Sequence, residues 1–299
     1  MQSPVVFDRQ LLRVRRRRAA ALGPATFLLD RVAKDLSERL TAVLRRFDLA
    51  VDLGTPGGQL RHMLAGGGQI GTMIGVDALV RDSAAGAEMR IVADEEALPL
   101  REASLDLAVS ALALHFVNDL PGTLIQIRRA LKPDGLLLAA LLGGDTLTEL
   151  RQAFAEAEVE IEGGVSPRVA PFSDLRELGA LLQRAGFALP VTDVDRVTVR
   201  YPSVFALMHD LRRMGATNVL AERRRVPLRR RTLMRMAEIY ARRFADADGK
   251  LRATFEIVWL LGWAPDESQQ KPLAPGSAKM RLADALGTAE IPAGEKAER

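Results

Sequence analysis

The segment Leu49-Ala-Val-Asp-Leu-Gly-Thr-Pro-Gly-Gly58 joins a short apolar run to a glycine-rich turn. The run ending at Leu53 predicts a buried strand, and the glycines predict a tight turn that leads into a helix. Such a turn lets the backbone approach a small anionic or zwitterionic ligand, and the helix N-terminus behind it offers N–H donors. Because Pro56 stands where a dinucleotide-binding pattern has glycine, a purely structural turn is the alternative.

Four more apolar runs of strand length follow in the first half of the chain. They are Ile70–Val76, Met89–Ala93, Leu105–Leu112 and Leu136–Leu142. Helical patterns alternate with the runs, and the helix before the first strand is expected to end near Phe47. Strands that alternate with helices form a parallel sheet covered on both faces, with right-handed crossovers. The sequence therefore predicts an α/β fold with a doubly wound, mostly parallel sheet.

The second half of the chain is more helical. Its periodicity predicts helices over Thr146–Glu160, Ser173–Ala185, Ser203–Met214 and Leu228–Phe244, and strands over Val191–Tyr201 and Thr254–Gly262. We expect Ser173 to cap its helix and Val191–Tyr201 to be an edge strand. These patterns predict four segments: a basic helical segment (1–47), an α/β domain (48–200), a helical addition with a late strand (201–276) and a poorly ordered tail (277–299).

Composition excludes several kinds of site. The 299 residues include no Cys and only three His, with a formal net charge of +4. Without thiols the chain has no disulfide, zinc–thiolate site, iron–sulfur ligand or cysteine nucleophile. The longest apolar run is far shorter than the ~20 residues that cross a bilayer. Because the three His show no close spacing that would hold a non-heme iron, no metal is predicted.

Positive charge is concentrated in two segments. Residues 1–50 hold eleven basic and five acidic side chains, and residues 200–252 hold fourteen basic and five acidic ones. This asymmetry indicates an acidic partner or an anionic membrane surface, with a solvated arginine-rich helix face as the alternative. Nucleic acid is not expected, because no recognition motif is present and aromatic residues make up only 5% of the chain.

Acidic residues follow three of the predicted strands. Asp52 closes the first strand, Asp77 the second, and Asp94 with Glu95 follows the third. The carboxyl ends of parallel strands share one edge of the sheet, where open α/β folds bind their ligands. The two oxygens of Asp77 suit the two hydroxyls of a ribose, and Asp94 suits the amino group of an adenine. For Asp77 the alternative is a helix N-cap.

These residues resemble the motif series of class I S-adenosylmethionine-dependent methyltransferases. The series comprises Asp52-Leu-Gly54, Asp77, Ala93-Asp-Glu-Glu96, Phe116-Val-Asn-Asp119 and Leu131-Lys-Pro-Asp-Gly135. A closer resemblance, from about residue 7 to about residue 278, is to the family of respiratory complex I assembly factors described as arginine hydroxylases. The segments that carry it are Phe7-Asp-Arg9, residues 93–100 and 114–121, Gly143-Gly-Asp-Thr-Leu147, Glu162-Gly-Gly164, Ser166-Pro167, Pro171-Phe172 and Asp266-Glu-Ser-Gln269.

The resemblance implies S-adenosylmethionine as the cofactor. Carried over position by position, its contacts are Asp52 and Gly54 for the methionine end, Gly58 for room in the turn, Asp77 for the ribose, Asp94 and Glu95 for the adenine, and Leu112 for the wall beyond the fourth strand. Pro56 departs from the family's glycine. Proline removes one N–H donor and fixes φ near about −65°.

The resemblance also implies a protein partner. The family is associated with hydroxylation of one arginine on the quinone-proximal, iron–sulfur-carrying subunit of respiratory complex I during assembly. The two basic segments could dock such a complex near an anionic membrane. Because the family's folded region begins near Phe7, little room remains for a cleaved presequence. We therefore expect a bacterial cytoplasmic protein, or the mitochondrial matrix if the source is eukaryotic, and no oligomeric state is implied.

Candidate catalytic groups lie after the fourth and fifth strands. A guanidinium substrate requires planar acceptors, and Asp145 and Glu149, one helical turn apart, could form such a clamp. The alternative makes Asp145 an N-cap and Glu149 a favourable first-turn charge. His115 could be a general base, orient the cofactor, or be a buried structural residue.

Two other functions are compatible with the same residues. One is a conventional methyltransferase that acts on a small acid, an acyl-carrier thioester or a protein side chain. The other is a non-catalytic scaffold whose pocket has decayed, with Pro56 as the sign of that decay.

Overall fold

Helices and strands alternate along the chain as the periodicity predicts. The strands are β1 (Phe47–Leu53), β2 (Ile70–Asp77), β3 (Arg90–Val92), β4 (Leu105–Ala111), β5 (Leu131–Leu142), β6 (Ala188–Tyr201) and β7 (Leu251–Trp263). The helices are α1 (Arg9–Ala21), α2 (Phe27–Thr41), α3 (Gln59–Ala65), α4 (Leu120–Ala130), α5 (Thr148–Glu162), α6 (Leu175–Arg184), α7 (Val204–Arg213), α8 (Arg230–Phe244) and α9 (Leu282–Leu286). A 3-10 turn, Leu114–Phe116, follows β4.

The computed structural model describes residues 5–79, 89–270, 277 and 280–289. Residues 1–265 form one compact unit, and residues 266–299 form a second one. The second unit contains α9, which lies in the segment that the sequence predicts to be poorly ordered. Residues 278–279 and 290–299 of that segment, and residues 271–276 before it, lie outside the described residues.

The seven described strands form one sheet in the order β3-β2-β1-β4-β5-β7-β6. Strands β1 to β5 are parallel to one another, whereas β7 runs antiparallel to both β5 and β6. The order reverses between β1 and β4, which is where a crevice opens at the carboxyl edge of such a sheet. The predicted doubly wound, mostly parallel fold is confirmed, and β6 lies at an edge of the sheet.

Strand β5 is apolar from Leu136 to Leu142 because both faces of that part are buried. Leu136 and Leu138 pack on one face of the sheet, in the cluster that includes α2, α5, α7 and α8. Leu137 and Leu141 pack on the opposite face with α4 and α6. Central strands of sheets covered on both sides have this continuous apolar character, and each buried leucine contributes about 1.5–3 kcal/mol.

Two predicted helix boundaries are wrong. Helix α2 ends at Thr41 rather than near Phe47, because Phe47 is fully buried as the first residue of β1 and pairs with Ile70. Leu44, which the pattern counted as part of the helix, is 99% exposed. Helix α6 is capped by Asp174 rather than Ser173, since the Asp174 carboxylate accepts from the N–H of Glu177 at 2.8 Å.

Candidate cofactor crevice and adjoining cavities

The carboxyl ends of β1, β2 and β3 bring the predicted acids to one edge of the sheet. Asp52 pairs in register with Gly75 on β2, and Asp77 pairs with Val92 on β3, two residues before Asp94. The negative charge of Asp77 acts on Asp52. The structure therefore brings these three acidic residues to the same edge of the sheet, and their part in binding a ligand stays a prediction.

The turn after β1 has the backbone shape that requires glycine. Gly54 has φ of +67° and Gly57 has φ of +79°, and Gly58 then caps α3. A Cβ on Gly54 would lie 2.6 Å from Oε1 of Glu95. The Glu95 side chain therefore packs against the Gly54 backbone, so the turn and the acids after β3 form one wall of the crevice.

Asp52 is held by an arginine that the sequence analysis did not identify. The Arg61 Nη1 donates to the buried Asp52 carboxylate at 2.8 Å, and its Nη2 donates to the Gly57 carbonyl at 3.2 Å. Burial raises the pKa of Asp52 to about 6, although hydrogen bonding from Thr55 and the charge of Arg61 oppose the rise. Arg61 thus links the end of β1 to the glycine turn.

The motif Phe7-Asp-Arg9 attaches helix α1 to the crevice. The Phe7 ring packs edge-on against Phe116, with centroids 5.6 Å apart. Asp8 caps α1 by accepting from the N–H of Leu11 at 2.9 Å. The motif therefore fixes the direction in which Arg9 and the following turns of α1 point.

Three arginines of α1 pair with the acids that were expected to contact adenine. Arg9 Nη2 lies 2.9 Å from Oδ1 of Asp94 and also binds Glu95. Arg13 binds Asp94, and Arg16 Nη1 lies 3.6 Å from Oε1 of Glu95. The spacing of four and three residues between these arginines puts them on one helix face, which was the available sequence signal. Helix α1 therefore covers this side of the crevice.

The arginines change the electrostatics of the crevice. Burial alone would raise the pKa of Asp94, but a hydrogen bond from the Glu96 N–H and the pairing with Arg9 and Arg13 outweigh it and lower the pKa. Glu95 is only 1% exposed, and Arg9 and Arg16 are its ion-pair partners.

Asp77 lies at the mouth of the crevice and is partly buried. Its Oδ1 accepts from the N–H of Leu79 at 2.9 Å. The helix that Asp77 would cap in the alternative interpretation falls on residues 80–88, outside the described residues. The structure therefore keeps both interpretations of Asp77 open.

The segment after β4 contributes a strained backbone and a neutral imidazole. Leu112 has φ of +53°, unusual for a branched side chain, and its N–H donates to the Ala140 carbonyl at 2.8 Å. His115 packs against the rings of Phe116 and Phe172. Burial, reinforced by the charge of Arg16, lowers the pKa of His115 to about 3. The imidazole is therefore neutral near pH 7 and a weak proton acceptor.

Among the described residues, no three His, Cys, Asp or Glu side chains come together as metal ligands would.

The proposed clamp of Asp145 and Glu149 is not assembled in the structure. Asp145 is about half exposed and pairs with Arg196 of β6. Glu149 is buried and accepts from the N–H and the hydroxyl of Thr254, at 3.1 and 2.6 Å. Nor is Asp145 the N-cap of α5, since that position belongs to Leu147. Each carboxylate holds β6 or β7 rather than facing the crevice.

Two cavities adjoin the crevice. The first, of about 120 Å³, is lined in part by Arg16, Pro56, Gly57, Leu112 and His115. The second, of about 430 Å³, lies between α5, α7 and the loop after α5. They share four lining residues, Phe116, Leu142, Ala216 and Phe255. The smaller cavity thus borders both the glycine turn and the larger cavity.

Much of the positive charge of helix α8 is neutralised by α5. Arg235 Nε lies 2.6 Å from Glu160, and Arg242 and Arg243 lie 2.9 and 2.8 Å from the two oxygens of Glu156. These pairs favour the interpretation of this segment as a salt-bridged helix face. No helix within the described ranges has both the length and the apolar character needed to cross a bilayer.

Comparison with known proteins identifies the family. The model of the methyltransferase domain matches residues 51–139. The chain is 39% identical over 303 residues to human arginine-hydroxylase NDUFAF5, mitochondrial, which covers 98% of this chain and 87% of that protein. It is 42% identical over 186 residues to malonyl-[acyl-carrier protein] O-methyltransferase of Laribacter hongkongensis, covering 62% of this chain and 60% of that one.

The fold is also found in solved structures. The YcgJ protein from Bacillus subtilis superposes with a TM-score of 0.54 at 14% identity, over 77% of this chain and 98% of that chain. At that identity the similarity concerns the fold alone. The similarity to the human protein, in contrast, extends through the N-terminal helices, the sheet and the elements around both cavities. The chain therefore belongs to the NDUFAF5 arginine-hydroxylase family.

Proposed function

We propose that this protein binds S-adenosylmethionine in the crevice between β1, β2 and β3, and that it hydroxylates an arginine side chain of a partner protein. The observation that supports the proposal is the position of Asp52, Asp77 and Asp94 at one edge of the sheet, next to the left-handed glycine turn. Membership of the arginine-hydroxylase family supports the choice of target side chain.

The residues present fit the polar groups of this cofactor. Its amino group, ribose hydroxyls and adenine amino group are hydrogen-bond donors, and carboxylates are the matching acceptors. Gly54 and Gly57 have positive φ and carry no side chain, so the backbone of the turn is the part of it that could lie against a ligand. When bound, S-adenosylmethionine supplies a sulfonium group, and the residues of this chain hold and orient it.

Two features affect the affinity for the cofactor. Pro56 offers no N–H to the ligand, so the turn has one donor fewer than a glycine at that position would give. Arg9 and Arg13 already occupy Asp94, and an adenine amino group would have to share or replace those contacts. We therefore expect cofactor binding to be accompanied by a rearrangement of helix α1.

We further propose that the partner is the iron–sulfur-carrying, quinone-proximal subunit of respiratory complex I. The resemblance of the sequence motifs to the complex I assembly family motivates this choice. The protein would then act in the compartment where that subunit is assembled, the bacterial cytoplasm or the mitochondrial matrix. Peripheral contact with an anionic membrane would use the arginines that are not paired with acids.

The proposal is tested by mass spectrometry of the partner subunit. We expect the target arginine to carry an added oxygen atom in the wild-type strain and to lack it in the deletion strain. Complementation with the wild-type gene should restore the oxygen, and complementation with the Asp77→Ala gene should not. Complementation with Asp48→Ala, which removes an exposed carboxylate on the same sheet, is the matched control and should restore the oxygen.

Other outcomes separate the remaining functions. An arginine that keeps its oxygen in the deletion strain contradicts hydroxylation by this protein. A methyl group lost from a protein or an acid in the same strain would point to a conventional methyltransferase. Normal complex assembly with Asp77→Ala, together with failed assembly in the deletion strain, would point to a scaffold.

A further inference from the structure

The interior of the 430 Å³ cavity is apolar and has no acidic wall. Its inner surface is formed mainly by Leu147, Leu150, Phe154, Phe172 and Phe255. No Asp or Glu is among the described residues that line it. A cavity of this size and character matches a small-molecule site, but it offers no acceptor for a guanidinium.

Of the two arginines that line the cavity, Arg168 is already neutralised. Arg168 pairs with Glu158, a carboxylate that is fully buried, and its guanidinium lies 5.6 Å from the centre of the Phe154 ring. The interior therefore carries no net charge.

The rim of the cavity, in contrast, is cationic. Phe205, His209 and Arg212 are spaced four and three residues apart on α7, so they lie along one stripe of that helix, and all three line the cavity. Phe205 is 44% exposed, which places this stripe at the opening. Within the described part of the chain, Arg212 has no carboxylate at ion-pair distance.

Arg15 of helix α1 adds a second guanidinium to the rim. Its Nη1 donates to the hydroxyl of Thr217, a lining residue, at 2.6 Å. Its Nε is buried and has no hydrogen-bond partner among the described residues. Burial lowers the pKa of Arg15, and the positive charges of Arg18, Arg223 and Arg212 lower it further. Such a group of guanidiniums gains stability from an anion placed among them.

The nearby acids do not supply that anion. Asp8 lies 3.1 Å from Arg223, and Asp210 lies 3.8 Å from Arg213. Neither carboxylate forms an ion pair with Arg15 or Arg212, and although the charge of Asp8 raises the pKa of Arg15, it does not outweigh burial and the neighbouring arginines. The rim therefore keeps its positive charge.

We propose that this cavity binds an amphiphile, with an apolar chain of medium length in the interior and a carboxylate or phosphate head at Arg15 and Arg212. The apolar walls match the chain, and charge-assisted hydrogen bonds from two guanidiniums match the head. The volume of about 430 Å³ lies within the range of small-molecule sites, which favours a small molecule over a peptide segment. This inference stands apart from the proposed hydroxylation and does not depend on the cofactor.

Calorimetry with three ligands of the same chain length tests the proposal. Decanoate, decyl phosphate and decanamide are titrated into the full-length protein below their micelle concentrations. We expect the anionic ligands to bind at least tenfold more tightly than decanamide, and the better of the two identifies the preferred head group. Arg212→Gln should reduce the affinity for the anions about tenfold and leave decanamide unchanged.

Two further variants complete the test. Arg184→Gln, at the exposed end of α6, removes the same charge away from the cavity and should bind as the wild type does. Arg15→Gln should repeat the effect of Arg212→Gln, and thermal melts check that each variant is folded. Equal binding of decanoate and decanamide, or equal loss in Arg184→Gln, overturns the anionic head site. If none of the three ligands binds, or if an acidic peptide binds instead, the proposal that the cavity takes an amphiphile is refuted.

Discussion

The buried carboxylate of Glu158 anchors the loop that follows α5, and replacing it gives a sharp test of the structure. Glu158 accepts from the N–H and the hydroxyl of Ser166, both at 2.7 Å, and from Nε of Arg168 at 2.8 Å. Burial would raise the pKa of Glu158, but these hydrogen bonds and the Arg168 charge outweigh it and lower the pKa. The loop in turn supplies Arg168, Val169 and Phe172 to the larger cavity.

The change Glu158→Gln keeps the shape of the side chain and removes its charge. Arg168, which is only 15% exposed, then keeps its positive charge next to a neutral amide instead of a carboxylate. Breaking a buried ion pair costs about 3–5 kcal/mol, and because glutamine can still accept from Ser166, we expect a loss near ~3 kcal/mol. At roughly 2–4 °C per kcal/mol for a chain somewhat smaller than this one, the melting temperature should fall by about 6–12 °C.

Thermal melts of wild type, Glu158→Gln and Glu156→Gln at several pH values check this reasoning. Glu156 is on the same helix, 30% exposed, and pairs with Arg242 at the surface, so its replacement should cost less than ~1 kcal/mol. A carboxylate whose pKa is lowered by folding stabilises the protein above its unfolded pKa of 4.5, and that stability is lost as the pH falls through the folded value. The difference between wild type and Glu158→Gln should therefore be complete at pH 7 and shrink below pH 4.5. Equal melting temperatures for Glu158→Gln and Glu156→Gln would refute the anchoring role of Glu158.

Three further predictions concern the crevice. Asp77→Asn should weaken S-adenosylmethionine binding about tenfold or more by calorimetry, since a charged acceptor for the ribose is lost, whereas Asp48→Asn should bind as the wild type does; equal affinities contradict the assignment. The ring signal of His115 should not titrate between pH 5 and 8 in NMR spectra of the folded protein, because its pKa is about 3, and a titration midpoint near 6.5 would contradict this. Since the unfolded chain takes up that proton near pH 6.5, the free energy of unfolding should decrease as the pH is lowered below 6.5. Gly54→Ala should lower the free energy of unfolding by at least ~1–2 kcal/mol, because φ is +67° and the new Cβ would meet Glu95; an unchanged denaturation midpoint would show that the turn relaxes freely.

The sheet and the position of the crevice were predictable because they follow from local patterns. Apolar runs such as Leu136–Leu142 set the strands, and alternation with helices sets the parallel order. The acids after β1, β2 and β3 then meet at one edge for geometric reasons alone. Boundaries were less predictable, since Leu44 and Phe47 are both apolar and only the tertiary structure exposes one and buries the other.

Partners distant in sequence were the part that could not be predicted. The spacing of Arg9, Arg13 and Arg16 gives a common helix face, but Asp94 lies 85 residues beyond Arg9 and nothing local links them. Similarly, Asp145 and Glu149 are only four residues apart in the sequence, yet Glu149 is held by Thr254, 105 residues away. Sequence proximity suggested a clamp, and tertiary packing gave each carboxylate a different partner.

The attachment of helix α1 to the acids after β3 has a practical consequence for shortened versions of the protein. A version starting at residue 47 would keep every strand and the whole glycine turn. It would nevertheless leave Glu95, 1% exposed in the intact chain, without the guanidiniums that balance it. Such a carboxylate would face water instead of its arginine partners, and ligand affinities measured on the truncated protein would describe a different set of charges from those of the intact one.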